Sequence, residues 1–218
     1  MASFVLIHGA ASDSRDWQLV RPILESRGHH VVAPDLPCDD DSAGLEEYRD
    51  AIISALSYGT GFIVVAHSFG GFTAPLVCDR IGADLLVLVN AMIPAPGESP
   101  GEWWANTEWN GRFAETEEET IAVFLHDVSD ELARDALTRQ KHQSGTPFEK
   151  AWPLEGWPEV STRVLIGQDD RFLPADFQRH VAQDRLGVIP DEMSGGHLVA
   201  LSQPQELAVR LERYVASE

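Results

Sequence analysis

Ser68 is the residue around which a reaction could be built. It stands in Ala66-His67-Ser68-Phe69-Gly70-Gly71, between an apolar run at 62–66 and an amphipathic run at 69–81. A serine on a sharp turn from strand to helix exposes its hydroxyl, and its neighbours must be small because longer side chains would collide there. Ala66 and Gly70 meet that need. The helix that follows aims unpaired N–H groups toward the reacting oxygen. Such a serine suits nucleophilic attack on a carbonyl carbon, which calls for a general base and for donors to the oxyanion.

The base is expected to be His197. It follows Ser194-Gly195-Gly196, after the last apolar run at 187–189, and opens the final helical stretch. His29 and His30 lie where a strand begins, at the wrong end of a sheet. His126, His142 and His180 fall on polar or helical segments, and His8 and His67 are expected to brace the loops they sit in. The order serine, acid, histidine along the chain supports the assignment. An acid to orient the imidazole is available in Gly167-Gln168-Asp169-Asp170-Arg171-Phe172-Leu173-Pro174. The residues themselves leave Asp169 and Asp170 both open. For the oxyanion, Gly9 in His8-Gly9-Ala10-Ala11 lets the chain turn so that the Ala10 amide faces Ser68; the Phe69 amide is the natural second donor.

These loops need a scaffold. Short apolar runs at 4–7, 30–33, 62–66, 85–89, 163–166 and 187–189 alternate with helical patterns at 16–26, 45–56, 69–81, 175–185 and 203–216. Most runs are unbroken Val, Ile and Leu, as in strands buried on both faces. The pattern predicts an α/β fold: a mostly parallel sheet of about six strands with helices on both faces. The whole chain, 1–218, reads as one domain. Residues 94–160 interrupt the rhythm with Pro and Gly punctuation and then helical patterns at 117–126 and 129–139. This insertion holds Trp103, Trp104, Trp109, Trp152 and Trp157. It is expected to be a helical lid over the carboxyl ends of the strands, where open α/β sheets place ligands. The expected pocket is apolar, lined by Ala11, Phe69, Met92 and Leu198, with Trp103 and Trp104 from the lid.

Composition narrows the partners. With 35 acidic and 16 basic residues the formal charge is −19, which argues against nucleic acid and against an anionic membrane surface. No apolar stretch is long enough to span a bilayer, and 4–7 is too short and lacks a basic lead to act as a secretory signal. Cys38 and Cys78 make no disulfide framework, so a reducing, cytoplasmic location is expected. Asp39-Asp40-Asp41 reads as a solvated loop. No cluster has metal-ligand spacing, so neither a metal nor an organic cofactor is expected. The expected partner is a small-molecule ester, and a homodimer is compatible with these features.

The motifs together resemble the α/β-hydrolase superfamily over the whole chain. Phe4-Val5-Leu6-Ile7-His8-Gly9-Ala10, Trp17, Gly28-His29, Pro34-Asp35-Leu36-Pro37, Val89-Asn90-Ala91-Met92-Ile93-Pro94 and Gly196-His197 are similar to the plant methyl esterase and hydroxynitrile lyase branch and its bacterial esterase relatives. The resemblance implies a triad of Ser68, Asp170 and His197, with oxyanion amides at Ala10 and Phe69. Its spacing places the acid three residues after Gly167 and four before Pro174, which selects Asp170. The lyases carry Thr where this chain has Gly9 and Lys where it has Leu198, so the esterase side is implied. The expectation is hydrolysis of a small or aromatic carboxylic ester through an acyl-enzyme. The same machinery could act on a lactone, a thioester or a carbon–carbon bond, or serve a ligand receptor.

Overall fold

The computed structural model describes residues 1–56 and 59–217. Six parallel strands form one sheet: β1 (Ser3–Ile7), β2 (His30–Val32), β3 (Phe62–His67), β4 (Leu85–Val89), β5 (Ser161–Gly167) and β6 (Asp191–Met193), in the order β2-β1-β3-β4-β5-β6. β3 and β4 are buried along their whole length. Their residues alternate between two cores, as the two-residue period of a strand requires. Val64, Ala66, Leu86 and Leu88 enter one core, and Ile63, Val65, Leu85 and Val87 the other. Helices α2 (Leu45–Ala55), α3 (Gly70–Ile81) and α7 (Ala175–Leu186) close the first; α1 (Val20–Ser26), α8 (Val199–Ser202) and α9 (Pro204–Ser217) close the second. Each large side chain so buried contributes about 1.5–3 kcal/mol.

The chain leaves β1 toward β2 and returns on the other side of β1 to form β3, so the winding direction reverses between β1 and β3. The loops that leave those two strands splay apart and open a crevice at the carboxyl edge. Their register, Ile7 beside Ala66, sets His8–Ala11 next to Ser68.

Between β4 and β5 stand α4 (Pro100–Asn106), α5 (Glu117–Phe124), α6 (Asp130–Arg139) and a 3₁₀ turn, Thr146–Phe148. Ser99 caps α4 reciprocally with Glu102, and Thr116 caps α5 ahead of an acidic first turn. Both arrangements satisfy N–H groups that the helix itself cannot.

Two elements differ from the periodicity. The last strand is not 187–189 but β6. Gly187 adopts the left-handed region (φ 65°) and its N–H returns to the end of α7, as does that of Val188. These residues serve the helix terminus, Ile189 is 86% exposed, and pairing with β5 starts only after Pro190. The helix expected over 16–26 is divided into a 3₁₀ turn, Ser14–Trp17, and α1, because Asp13 caps the turn by accepting from the Arg15 amide. Among the described residues no helix is long and apolar enough to cross a membrane.

Candidate active site

The turn from β3 to α3 carries Ser68 at φ 52°, a conformation that costs a residue with a β-carbon about 1–3 kcal/mol unless its surroundings hold it. They do hold it. The Ser68 carbonyl accepts from the amides of Gly71 at 3.1 Å and Met92 at 3.0 Å. The tightness of the turn shows in its glycines. A β-carbon on Gly70 would lie 2.9 Å from the His8 carbonyl oxygen, and one on Gly71 only 1.9 Å from that of Met92. The sequence motif points to Gly70; the stricter demand, at Gly71, comes from the loop after β4.

Ser68 Oγ donates to His197 Nε2 at 3.0 Å, and His197 Nδ1 donates to Asp170 Oδ2 at 2.8 Å. Asp170 Oδ1 accepts from the amides of Phe172 and Leu173, each at 2.9 Å, and Gln178 Nε2 donates to Oδ2 at 3.2 Å. Both carboxylate oxygens are thus fixed, and the side chain is wholly buried. Asp169 is turned the other way: its Oδ2 accepts from the Gly195 amide at 3.2 Å. It ties down the histidine loop instead of touching the imidazole.

Gly9 lies against the serine, for a β-carbon there would stand 3.0 Å from Ser68 Cβ and 3.5 Å from its Oγ. Ala10 and Phe69 both line the cavity above Ser68. Among the described residues neither of their amides donates to a protein acceptor, which leaves both free for an oxyanion. His8 braces this loop, its Nδ1 donating to the Gly9 carbonyl at 2.8 Å and its Nε2 accepting from Leu36 at 2.9 Å. The insertion braces it too. The Ala11 amide donates to Gln143 Oε1 at 3.0 Å.

Three supporting residues carried no expectation of this role from sequence. Asn90, at φ 45° just past β4, accepts from the Gly167 amide at 2.6 Å and donates to the carbonyls of Gly196 and His197. Its position as a polar residue ending an apolar run is the signal that could have marked it. Gln178 lies one turn into α7 and carries no such signal. His67 goes beyond bracing its own turn: its Nε2 donates to the His197 carbonyl at 2.9 Å. Complete burial, with His197 close by, holds its pKa well below the ordinary histidine range, so it stays neutral.

The cavity over Ser68 has a volume of about 460 Å³. Phe124 and Phe172 each set a ring edge-on to His197, with centroids 5.4 Å apart, and Trp104 extends the aromatic wall beside Phe172. Ala11, Met92, Trp104 and Leu198 line the cavity. Trp103 does not. It is 1% exposed, packs in the core, and donates its indole N–H to the Ile93 carbonyl at 2.9 Å. Adjacent helix residues point about 100° apart, so only one of this tryptophan pair can face the cavity.

The sequence pattern of the Alpha/beta hydrolase family matches residues 4–210. The chain belongs to that family. Among its α/β-hydrolase relatives, norfluorocurarine synthase 1 of a Strychnos species is 26% identical, over 94% of this chain and 91% of the relative. Methylesterase 8 of Arabidopsis thaliana is 27% identical, over 95% of this chain and 87% of the relative. The crystal structure of polyneuridine aldehyde esterase superimposes with a TM-score of 0.83 at 20% identity, covering 98% of this chain and 99% of that one. This hydrolase is therefore an enzyme whose relatives include esterases.

Proposed function

We propose that this α/β hydrolase cleaves a small or aromatic carboxylic ester through a covalent acyl-enzyme. Ser68 Oγ attacks the ester carbonyl while His197 Nε2 takes its proton. The oxyanion that forms is met by the Ala10 and Phe69 amides. His197 then returns the proton to the departing alkoxide, and a water, deprotonated by the same imidazole, releases the acid and restores Ser68. Asp170 holds the imidazole in the tautomer that this sequence needs and stabilises the imidazolium. No step calls for a metal or an organic cofactor.

The observation that carries the reading is the unbroken chain of two hydrogen bonds, 3.0 Å from Ser68 to His197 and 2.8 Å from His197 to Asp170. Residues 94–160 serve in this reading as a lid that shapes the acyl or alcohol pocket. Gly9 and Leu198 favour hydrolysis over cyanohydrin cleavage, because neither supplies a group to handle cyanide.

The test is Ser68→Ala assayed on p-nitrophenyl acetate. Turnover should fall about 10⁴-fold or more, with an unchanged melting temperature. A purified variant that keeps its activity sinks the reading.

A further inference from the structure

The cavity that holds Ser68 is not apolar throughout: Ser12, Asp16, Gln140 and Gln143 also line it. Asp16 is the unusual member, a carboxylate only 4% exposed. Its Oδ2 accepts from Ser12 Oγ at 2.5 Å. Its Oδ1 accepts no hydrogen bond among the described residues, and its ion-pair partner, Arg139 Nη1, is 3.9 Å away.

Arg139 is committed elsewhere through two of its three nitrogens, and the third, Nη2, is buried without an acceptor among the described residues. It donates from Nη1 to Asp13 at 2.8 Å and from Nε to Asp135 at 2.8 Å. Arg15, the other cation of the group, also pairs with Asp13. Asp13, Asp16 and Asp135 thus share two guanidinium groups, and three charges against two leaves one negative charge over. Asp16 is the carboxylate of the three that lines the cavity.

We propose that Asp16, with Ser12 beside it, is the anchor of a cation subsite, and that the preferred ester carries a protonated amine. The inference rests on the cavity being the substrate site, as in the reading above. A buried carboxylate with an incomplete set of partners is costly; an ammonium group supplies the missing charge and charge-assisted donors to the free oxygen. Burial raises the Asp16 pKa to about 6, which leaves it ionised in mildly alkaline solution. The formal charge of −19 adds a long-range field that draws cations toward the chain.

Calorimetric titration at pH 8 with phenethylammonium and with 2-phenylethanol, which differ in the charged group, tests the subsite without any turnover. The wild-type chain should bind the amine at least tenfold more tightly than the alcohol. Asp16→Asn should remove that preference. Asp50→Asn, which changes net charge equally on an exposed face of α2, should keep it. Ser68→Ala should keep it too, so failure of ester hydrolysis and failure of the subsite are read separately. Equal affinity of the wild type for the two probes overturns the proposal, as does no binding of the amine at millimolar concentration or a preference that survives Asp16→Asn. Should Asp16→Asn not fold, the wild-type comparison alone decides.

Discussion

Asn90 Nδ2 donates to the carbonyl oxygen of His197 at 2.9 Å, so the residue just past β4 holds the loop carrying the imidazole. Its Oδ1 meanwhile takes the Gly167 amide at the end of β5. One buried side chain thus fixes the spacing of three loops. Asn90→Ala would strand the buried Gly167 amide and Gly196 carbonyl, at about 1–3 kcal/mol each, and leave the His197 carbonyl to His67 alone. A lower melting temperature is expected together with a kcat loss exceeding any change in KM. Unchanged stability and kcat would show that the backbone holds these loops unaided.

The two aspartates of the β5 loop should respond very differently to amidation. Asp170→Asn keeps the shape but presents an N–H to His197 Nδ1, which should cost up to about 10⁴-fold in kcat. Asp169→Asn retains an oxygen for the Gly195 amide and should cost less than about tenfold. Measuring kcat for both on one fast ester decides; a crippled Asp169→Asn would mean the wrong acid has been assigned.

Gly71 should tolerate no side chain. A β-carbon there would meet the Met92 carbonyl oxygen at 1.9 Å, so Gly71→Ala must push the β4 loop away from the turn that carries Ser68. Overpacking of this kind costs about 1–3 kcal/mol, or more against backbone. Gly145→Ala, with nothing within 4 Å, should stay within about 0.5 kcal/mol of wild type. Paired thermal melts give the comparison, and equal melts would contradict it.

Trp103 and Trp104 adjoin in sequence but should separate by experiment. Trp103→Ala empties a core site and should lose about 3–5 kcal/mol of stability. Trp104→Ala widens the cavity wall, and should change relative rates across a series of acyl lengths more than it changes the melt. A uniform rate loss for Trp104→Ala that tracks its stability would place it with Trp103.

Asp16 should make stability depend on pH in a direction opposite to that of a paired carboxylate. Burial, the largest influence, raises it from 3.8 to about 6. The folded chain therefore binds a proton more tightly than the unfolded chain, and stability falls as pH rises from about 4 to 6. The full loss is about 3 kcal/mol. Asp16→Asn removes that loss, so its melting temperature relative to wild type should rise across this window and level off above it. A difference that stays flat with pH would show that Asp16 ionises normally.

The residues alone determined five of the six strands and the turn that carries Ser68. Unbroken apolar runs and small residues around a serine are local signals, and each reports a demand made within a few positions along the chain. The last strand escaped that reading because 187–189 is as apolar as a strand, while Gly187 is spent on ending α7. Distance along the chain hid the rest. Asn90 touches residues 77 to 107 positions away, and Gly71 is required by Met92, a loop that no turn motif mentions. Trp103 and Trp104 have the same chemistry and adjoin, so only the rotation of α4 against the sheet could send one to the core and the other to the cavity. In the sequence Asp16 is only the first residue of the helical pattern at 16–26. It became a cavity carboxylate when α6 brought Arg139 beside it with that cation already shared between Asp13 and Asp135. Charge balance in a buried cluster is a sum over segments distant in sequence, and only packing brings its terms together.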